Sequence, residues 1–251
     1  MSTALVIGGA SGIGKATARR LHEDGHHVVV ADVNADAASA TAAELGGTAT
    51  AVYLDVTDEA SVAAGFDGLD DLTTVVNCAG LSMPGALTDL ELSAWQTTLD
   101  VCLTGTFLVL KYAGRRVAQG GSIVCVASLN GRQPGAGMGS YCAAKAGVLM
   151  LVEVAALELA ERGVRVNAVS PGLVDTPLTA GIAFVPGLTE EYLENTPLGR
   201  AGTPEDIAAT IAFLASPASG WMTGAAIDLN GGAHLRRYPD VLGKVRALAG
   251  G

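Results

Sequence analysis

Short β-branched runs alternate with longer Ala- and Leu-rich stretches along most of the chain. This alternation constrains the fold more than any other feature. The runs predict strands at about 4–8, 27–31, 50–54, 73–77, 122–127, 164–169 and 225–229. The stretches between them predict helices at about 12–24, 35–45, 58–66, 93–118, 140–162 and 204–215. Strands that are apolar throughout are buried on both faces, as in a parallel sheet covered by helices on either side. At 251 residues, without internal repeat or low-complexity linker, the chain fits one α/β domain of about seven strands. Only 4% of residues are aromatic, so Ala, Val, Leu and Ile must build the core.

The formal charge of −10 argues against a nucleic-acid partner, which needs a concentrated basic surface. A basic patch near the end, Arg236, Arg237, Lys244 and Arg246, reads as a solvated helix face or a subunit contact. No apolar run approaches the roughly 20 residues of a membrane span. The first strand starts at Ala4, leaving no room for a signal peptide. Cys78, Cys102, Cys125 and Cys142 show neither metal-ligand spacing nor a disulfide framework. A reduced, cytoplasmic protein without metal is expected.

The first strand runs into Gly8-Gly9-Ala10-Ser11-Gly12-Ile13-Gly14 and then a helix. Glycines there let the backbone turn sharply and approach a pyrophosphate, whose charge sits at the helix N-terminus. Asp32 closes the second strand, where a carboxylate accepts from the adenosine ribose hydroxyls of NAD and repels the 2′-phosphate of NADP. Val33 supplies no positive charge to offset that repulsion. Read alone, Asp32 is equally a turn residue or a helix cap ahead of Asn34. Asp55-Val56 and Asn77-Cys78-Ala79-Gly80 end the third and fourth strands.

Ser128 follows the fifth strand, thirteen positions before Tyr141, and Lys145 stands four beyond Tyr141. On a helix, positions four apart share a face. A free phenol titrates near 10 and is a poor base at neutral pH, but an ammonium one turn away favours the phenolate. Without the glycine motif, the Tyr–Lys pair would read as an ordinary amphipathic pair on a surface helix.

Together these elements resemble the classical short-chain dehydrogenase/reductase (SDR) family over essentially the whole chain. Gly8-x-x-x-Gly12-x-Gly14 is similar to its T-G-x-x-x-G-x-G element, with Ile7 where Thr is usual, and Asn77-Cys78-Ala79-Gly80 to its N-N-A-G. Pro171-Gly172-Leu173-Val174-Asp175-Thr176 is similar to its P-G-x-x-x-T. The resemblance implies a Rossmann-type doubly wound sheet, with NAD at the carboxyl ends of the strands. It makes Tyr141 the general acid/base, Ser128 the holder of the substrate oxygen and Lys145 a ligand of the nicotinamide ribose. It makes Asp55 an adenine contact, and Val174 and Thr176 neighbours of the nicotinamide. It also implies a homotetramer packed through the helices near 93–118 and 140–162.

One position departs from the pattern. The family's Asn in the long central helix, which helps hold a water linking the Lys to solvent, falls on Cys102 here. A thiol cannot reproduce an amide's geometry. Cys102 therefore reads as a small core residue, a redox-sensitive thiol beside the cofactor, or a disabling change in the relay.

Thr176 to Arg200 breaks the strand–helix rhythm with Pro177, Pro186, Pro197 and several glycines, and reads as an irregular lid over the substrate. Met83, Leu129, Met138, Leu173, Leu178, Ile182 and Phe184 would line the site, which favours a hydrophobic secondary alcohol or ketone. Two rivals stand beside this: a reductase of 3-oxoacyl thioesters, and an NAD(H)-binding sensor or scaffold without catalysis.

Overall fold

In the computed structural model, which describes residues 2–248, seven parallel strands form one sheet in the order β3-β2-β1-β4-β5-β6-β7. The first half alternates β1 (Thr3–Ile7), α1 (Gly12–Glu23), β2 (His27–Asp32), α2 (Ala35–Leu45), β3 (Thr50–Tyr53), α3 (Glu59–Gly65) and β4 (Leu72–Asn77). After it come α4 (Leu92–Leu99), α5 (Gly105–Arg116), β5 (Ser122–Val126), α6 (Gly139–Leu159) and β6 (Arg165–Pro171). The chain ends with α7 (Leu188–Glu194), α8 (Pro204–Ala215), β7 (Ala226–Leu229) and α9 (Val241–Leu248).

The apolar strands explain the layers. Leu5 and Ile7 of β1 enter the core that α3, α5 and α6 cover, with Phe66, Val109, Val148 and Val152. Ala4 and Val6 enter the core under α1, α2 and α8, with Leu21, Ile207, Ile211 and Leu214. Successive residues serve opposite layers because strand side chains alternate. Each such buried aliphatic contributes about 1.5–3 kcal/mol over an exposed one. The chain moves outward from β1 to β3, then returns to place β4 on the other side of β1. The registers bring Ile7 level with both Ala31 and Asn77, so the strand order reverses beside the carboxyl end of β1.

Two expectations need correction. The helix expected over 93–118 is interrupted by a π turn at Asp100–Thr104 between α4 and α5. The Thr106 hydroxyl donates to the Cys102 carbonyl at 2.7 Å and accepts from Asn77 Nδ2 at 3.0 Å, offering that carbonyl a side-chain partner within the wider turn. The segment 176–200 is not irregular throughout, since it holds a 3₁₀ turn (Ala180–Phe184) and α7. The arginines of the basic patch are exposed, as expected, and two of them are also paired. Arg237 and Lys244 reach the buried Glu191 of α7 at 2.5 and 3.8 Å, and Arg246 reaches Asp89 at 3.5 Å.

Candidate active site

The Gly-rich turn is shaped by contact as well as by conformation. Gly8 adopts φ 72° with a Cβ position 2.9 Å from the Ala79 nitrogen, so the ends of β1 and β4 press together. A Cβ on Gly14 would stand 2.0 Å from the Gly8 carbonyl oxygen, so α1 rests directly on the turn. Ser11 caps α1 without a side-chain hydrogen bond, and the first turn holds no acidic residue. By contrast, Asn34, Asp58 and Thr203 cap α2, α3 and α8 with their side chains. An N-terminus left bare, on glycines that admit close approach, fits the pyrophosphate of a dinucleotide. Gly12 adopts φ 49°, and its Cβ position lies 3.2 Å from Thr176, so the segment after β6 borders the same crevice. Ile13 packs against the core under α1.

Asp32 ends β2 with both oxygens in use. Oδ2 accepts from Ala10 N–H at 3.1 Å, and Oδ1 accepts from Asn34 N–H at 3.0 Å. It therefore ties the Gly-rich turn to the β2–α2 turn, and Val33 beside it is exposed. Asp55 accepts from the Thr57 N–H and hydroxyl at 2.8 and 2.7 Å. Val56 is buried against the Cβ position of Gly105, and Val174 is buried in the core with α8. Their side chains are spent on packing, so any role toward a cofactor falls to their backbone. Asn77 accepts from Ala79 N–H at 3.2 Å and shapes the turn to Gly80.

At the other end of the crevice, Ser128, Tyr141, Pro171 and Gly172 share the wall of a cavity of about 390 Å³. Ser128 starts a 3₁₀ turn and accepts from Asn130 N–H at 3.1 Å, leaving its own proton to be donated. Lys145 is buried one helical turn below Tyr141, 5.6 Å from the ring centre, and donates to the Val126 carbonyl at 2.7 Å. The fold thus puts Ser128 and Tyr141 in one cavity wall and Lys145 under Tyr141, and the Cβ position of Gly80 is 3.6 Å from Lys145 Nζ and 3.8 Å from Cys102 Sγ. The thiol of Cys102, fully buried, donates to the Leu81 carbonyl at 3.2 Å and accepts from Leu81 N–H at 3.4 Å. Burial pushes the Cys125 thiol up to about 12, which makes it a neutral core residue.

Of the residues expected to line the site, Leu129, Met138, Leu173, Leu178 and Ile182 do so, whereas Met83 and Phe184 do not. Phe184 is 80% exposed, because its short 3₁₀ turn points it away from the cavity. Sequence reading missed the opposite wall, where Leu188 and Tyr192 of α7 face Tyr238, Val241 and Val245. The spacing Leu188, Tyr192, Asn195 is a helical signal that the flanking prolines obscure. Nothing local announces the contribution of the C-terminal segment.

A family profile described as enoyl-(acyl carrier protein) reductase matches residues 8–234. The chain is 40% identical over 238 residues to a 2,5-dichloro-2,5-cyclohexadiene-1,4-diol dehydrogenase of Sphingobium indicum, covering 91% of this chain and 94% of that one. It is 43% identical over 238 residues to a cis-4-hydroxycyclohexanecarboxylate dehydrogenase of Sinomonas cyclohexanicum, covering 91% and 95%. Its structure matches a short-chain type dehydrogenase/reductase from Mycobacterium ulcerans with a TM-score of 0.94 and 36% identity, covering 98% and 94% of the two chains. The chain belongs to the short-chain dehydrogenase/reductase family. It is an oxidoreductase of the kind that uses a nicotinamide dinucleotide. Among the described residues, no helix is long and apolar enough to cross a membrane.

Proposed function

We propose that the chain is a single catalytic domain that oxidises an apolar secondary alcohol, or reduces the matching ketone, with NAD(H). The observation that carries this reading is the meeting of Ser128 and Tyr141 in one wall of a largely apolar cavity, directly above the buried ammonium of Lys145. Pyrophosphate binds on Gly8, Ser11, Gly12, Ile13 and Gly14, and the adenosine ribose on Asp32, with Val33, Asp55, Val56, Asn77, Ala79 and Gly80 along the crevice. Pro171, Gly172, Val174 and Thr176 border the nicotinamide. When bound, NAD(H) takes up or supplies the hydride. Ser128 donates a hydrogen bond to the substrate oxygen, and Tyr141 takes or returns the proton on that oxygen. Lys145 favours the phenolate and holds the nicotinamide ribose. The segment 176–200 serves as the lid.

The two relatives act, by their names, on alcohols of six-membered rings, which suits a cavity of about 390 Å³ with an apolar lining. NAD is favoured over NADP because the Asp32 carboxylate would face the 2′-phosphate with no basic residue at position 33. Phe107, Met150, Val154 and Leu157 of α5 and α6 are exposed apolar residues, and a homotetramer would bury them. A monomer by light scattering would refute that assembly.

The test follows NADH absorbance over a panel of cyclic secondary alcohols and ketones, with NADP(H) in parallel. Turnover is expected with NAD(H). Tyr141→Phe is expected to abolish it while NADH still binds; appreciable residual activity in that variant would overturn the assignment.

A further inference from the structure

The cavity wall also carries a hydrogen-bonded chain that nothing above uses. Tyr238 Oη lies 3.0 Å from Asn130 Oδ1 and 3.0 Å from Tyr192 Oη. All three residues line the cavity. The direction of the chain is fixed by chemistry. Asn130 Nδ2 sits 3.1 Å from the Gln133 carbonyl, which only accepts, so the amide must turn its oxygen to Tyr238. Tyr238 therefore donates to Asn130 and has no proton left for Tyr192. Tyr192 must donate to Tyr238, which leaves the Tyr192 oxygen with lone pairs and no hydrogen to offer. The same reasoning fixes Gln133, whose Nε2 donates to the Arg236 carbonyl at 2.6 Å. Its Oε1 is buried without a partner.

The pair is held rigidly. The two rings meet edge to face, 5.9 Å apart at 82°, and Tyr238 packs 2.5 Å from the Cβ position of Gly135. Burial raises both phenols above their ordinary range, so both keep their protons at neutral pH. Arg237 also borders the cavity, but its guanidinium is held by Glu191 at 2.5 Å.

We infer that Tyr192, polarised by Tyr238 and Asn130, is an acceptor that selects substrates with a second hydroxyl. The substrate class would then be diols and their hydroxyketones rather than simple alcohols. A hydroxyl gives Tyr192 the donor it lacks. An ether or carbonyl at that place sets acceptor against acceptor, and a carboxylate does so with charge. This assignment rests on the dehydrogenase reading above, since it names the substrates of that site.

The experiment compares kcat/KM for cyclohexane-1,2-, -1,3- and -1,4-diol with their monomethyl ethers and with cyclohexanol. One diol is expected to exceed its ether by about fivefold to tenfold, the worth of one hydrogen bond. Tyr192→Phe should collapse that ratio. Tyr238→Phe frees the Tyr192 proton, so the ether should gain on the diol, an outcome that a purely structural role would not produce. Equal use of diol and ether by the wild type, or a ratio unmoved by Tyr192→Phe, overturns the inference. So does a preference for 4-hydroxycyclohexanecarboxylate that Arg237→Leu removes, which would mean an anionic substrate. If none of these alcohols is oxidised, the dehydrogenase reading fails for them. The anchor is then read from the rise in Tm that each compound gives with NADH bound. A diol-specific rise lost in Tyr192→Phe supports it, and no rise or equal rises overturn it.

Discussion

Replacing Gly14 by Ala tests the link between helix packing and cofactor binding. The new methyl would meet the Gly8 oxygen at 2.0 Å, the Gly8 carbon at 2.7 Å and Gly9 Cα at 3.0 Å. All three are backbone atoms, and Gly9 N–H is itself anchored to the Ala31 carbonyl at 3.0 Å. Side-chain repacking cannot relieve the clash, so the start of α1 must move away by about 1 Å to reach the shortest separations that real Cβ atoms show. Overpacking of this kind costs about 1–3 kcal/mol. In a domain of this size about 2 kcal/mol lowers Tm by roughly 4–8 °C. The shift also withdraws the bare N–H groups of the first turn from a pyrophosphate. Losing one charge-assisted hydrogen bond, worth about 1.5–3 kcal/mol, weakens NADH binding by about 10-fold to 150-fold. Fluorescence titration with NADH and thermal unfolding read the two effects. Gly114→Ala is the control, because its Cβ position meets Leu159 no closer than 3.4 Å on a helix where Ala is the better former. If Gly14→Ala bound NADH within twofold of wild type and kept its Tm, the argument from close packing would be wrong.

Three other outcomes are expected. Asp32→Asn removes a repulsion of about 2–4 kcal/mol toward a 2′-phosphate, so the NAD/NADP ratio of kcat/KM should fall at least tenfold; an unchanged ratio would clear Asp32 of cofactor choice. Although burial tends to raise it, the Glu191 carboxyl is held below its ordinary range by the Asp240 N–H and by Arg237 and Lys244. A carboxyl depressed in the folded state stabilises above its unfolded value near 4.5 and loses that contribution as pH falls through the lower folded value. The α7–α9 clamp should therefore loosen only below about pH 4.5, and Glu191→Gln should raise KM more than kcat at neutral pH. Equal effects on both in steady-state kinetics would argue against a clamp. Cys102→Asn puts an amide beside Lys145 and should raise kcat without changing NADH affinity; no rise would show that protons reach Lys145 by another path.

Much of this molecule is determined locally. Apolar strands buried on both faces, helices between them and glycines at the first turn are properties of neighbouring residues. The layout from β1 to β7 therefore follows from the sequence, as does the helical pairing of Tyr141 with Lys145. Asp32 shows where locality ends. The sequence allows a ribose ligand or a turn residue, and the structure shows its carboxylate already tying Ala10 to Asn34. The π turn at Cys102 was not legible, because the Thr106 hydroxyl that meets its carbonyl is itself held by Asn77, distant in sequence. The hydroxyl chain in the cavity wall was hidden for the same reason. Asn130, Tyr192 and Tyr238 come from three separate segments, and Glu191 holds the last two segments together from α7. Periodicity reports which face of an element is apolar, but only tertiary packing decides which distant faces meet. The turn proposed to admit the cofactor was thus written in consecutive residues, whereas the hydroxyl chain that would choose the substrate exists only once the chain has closed on itself.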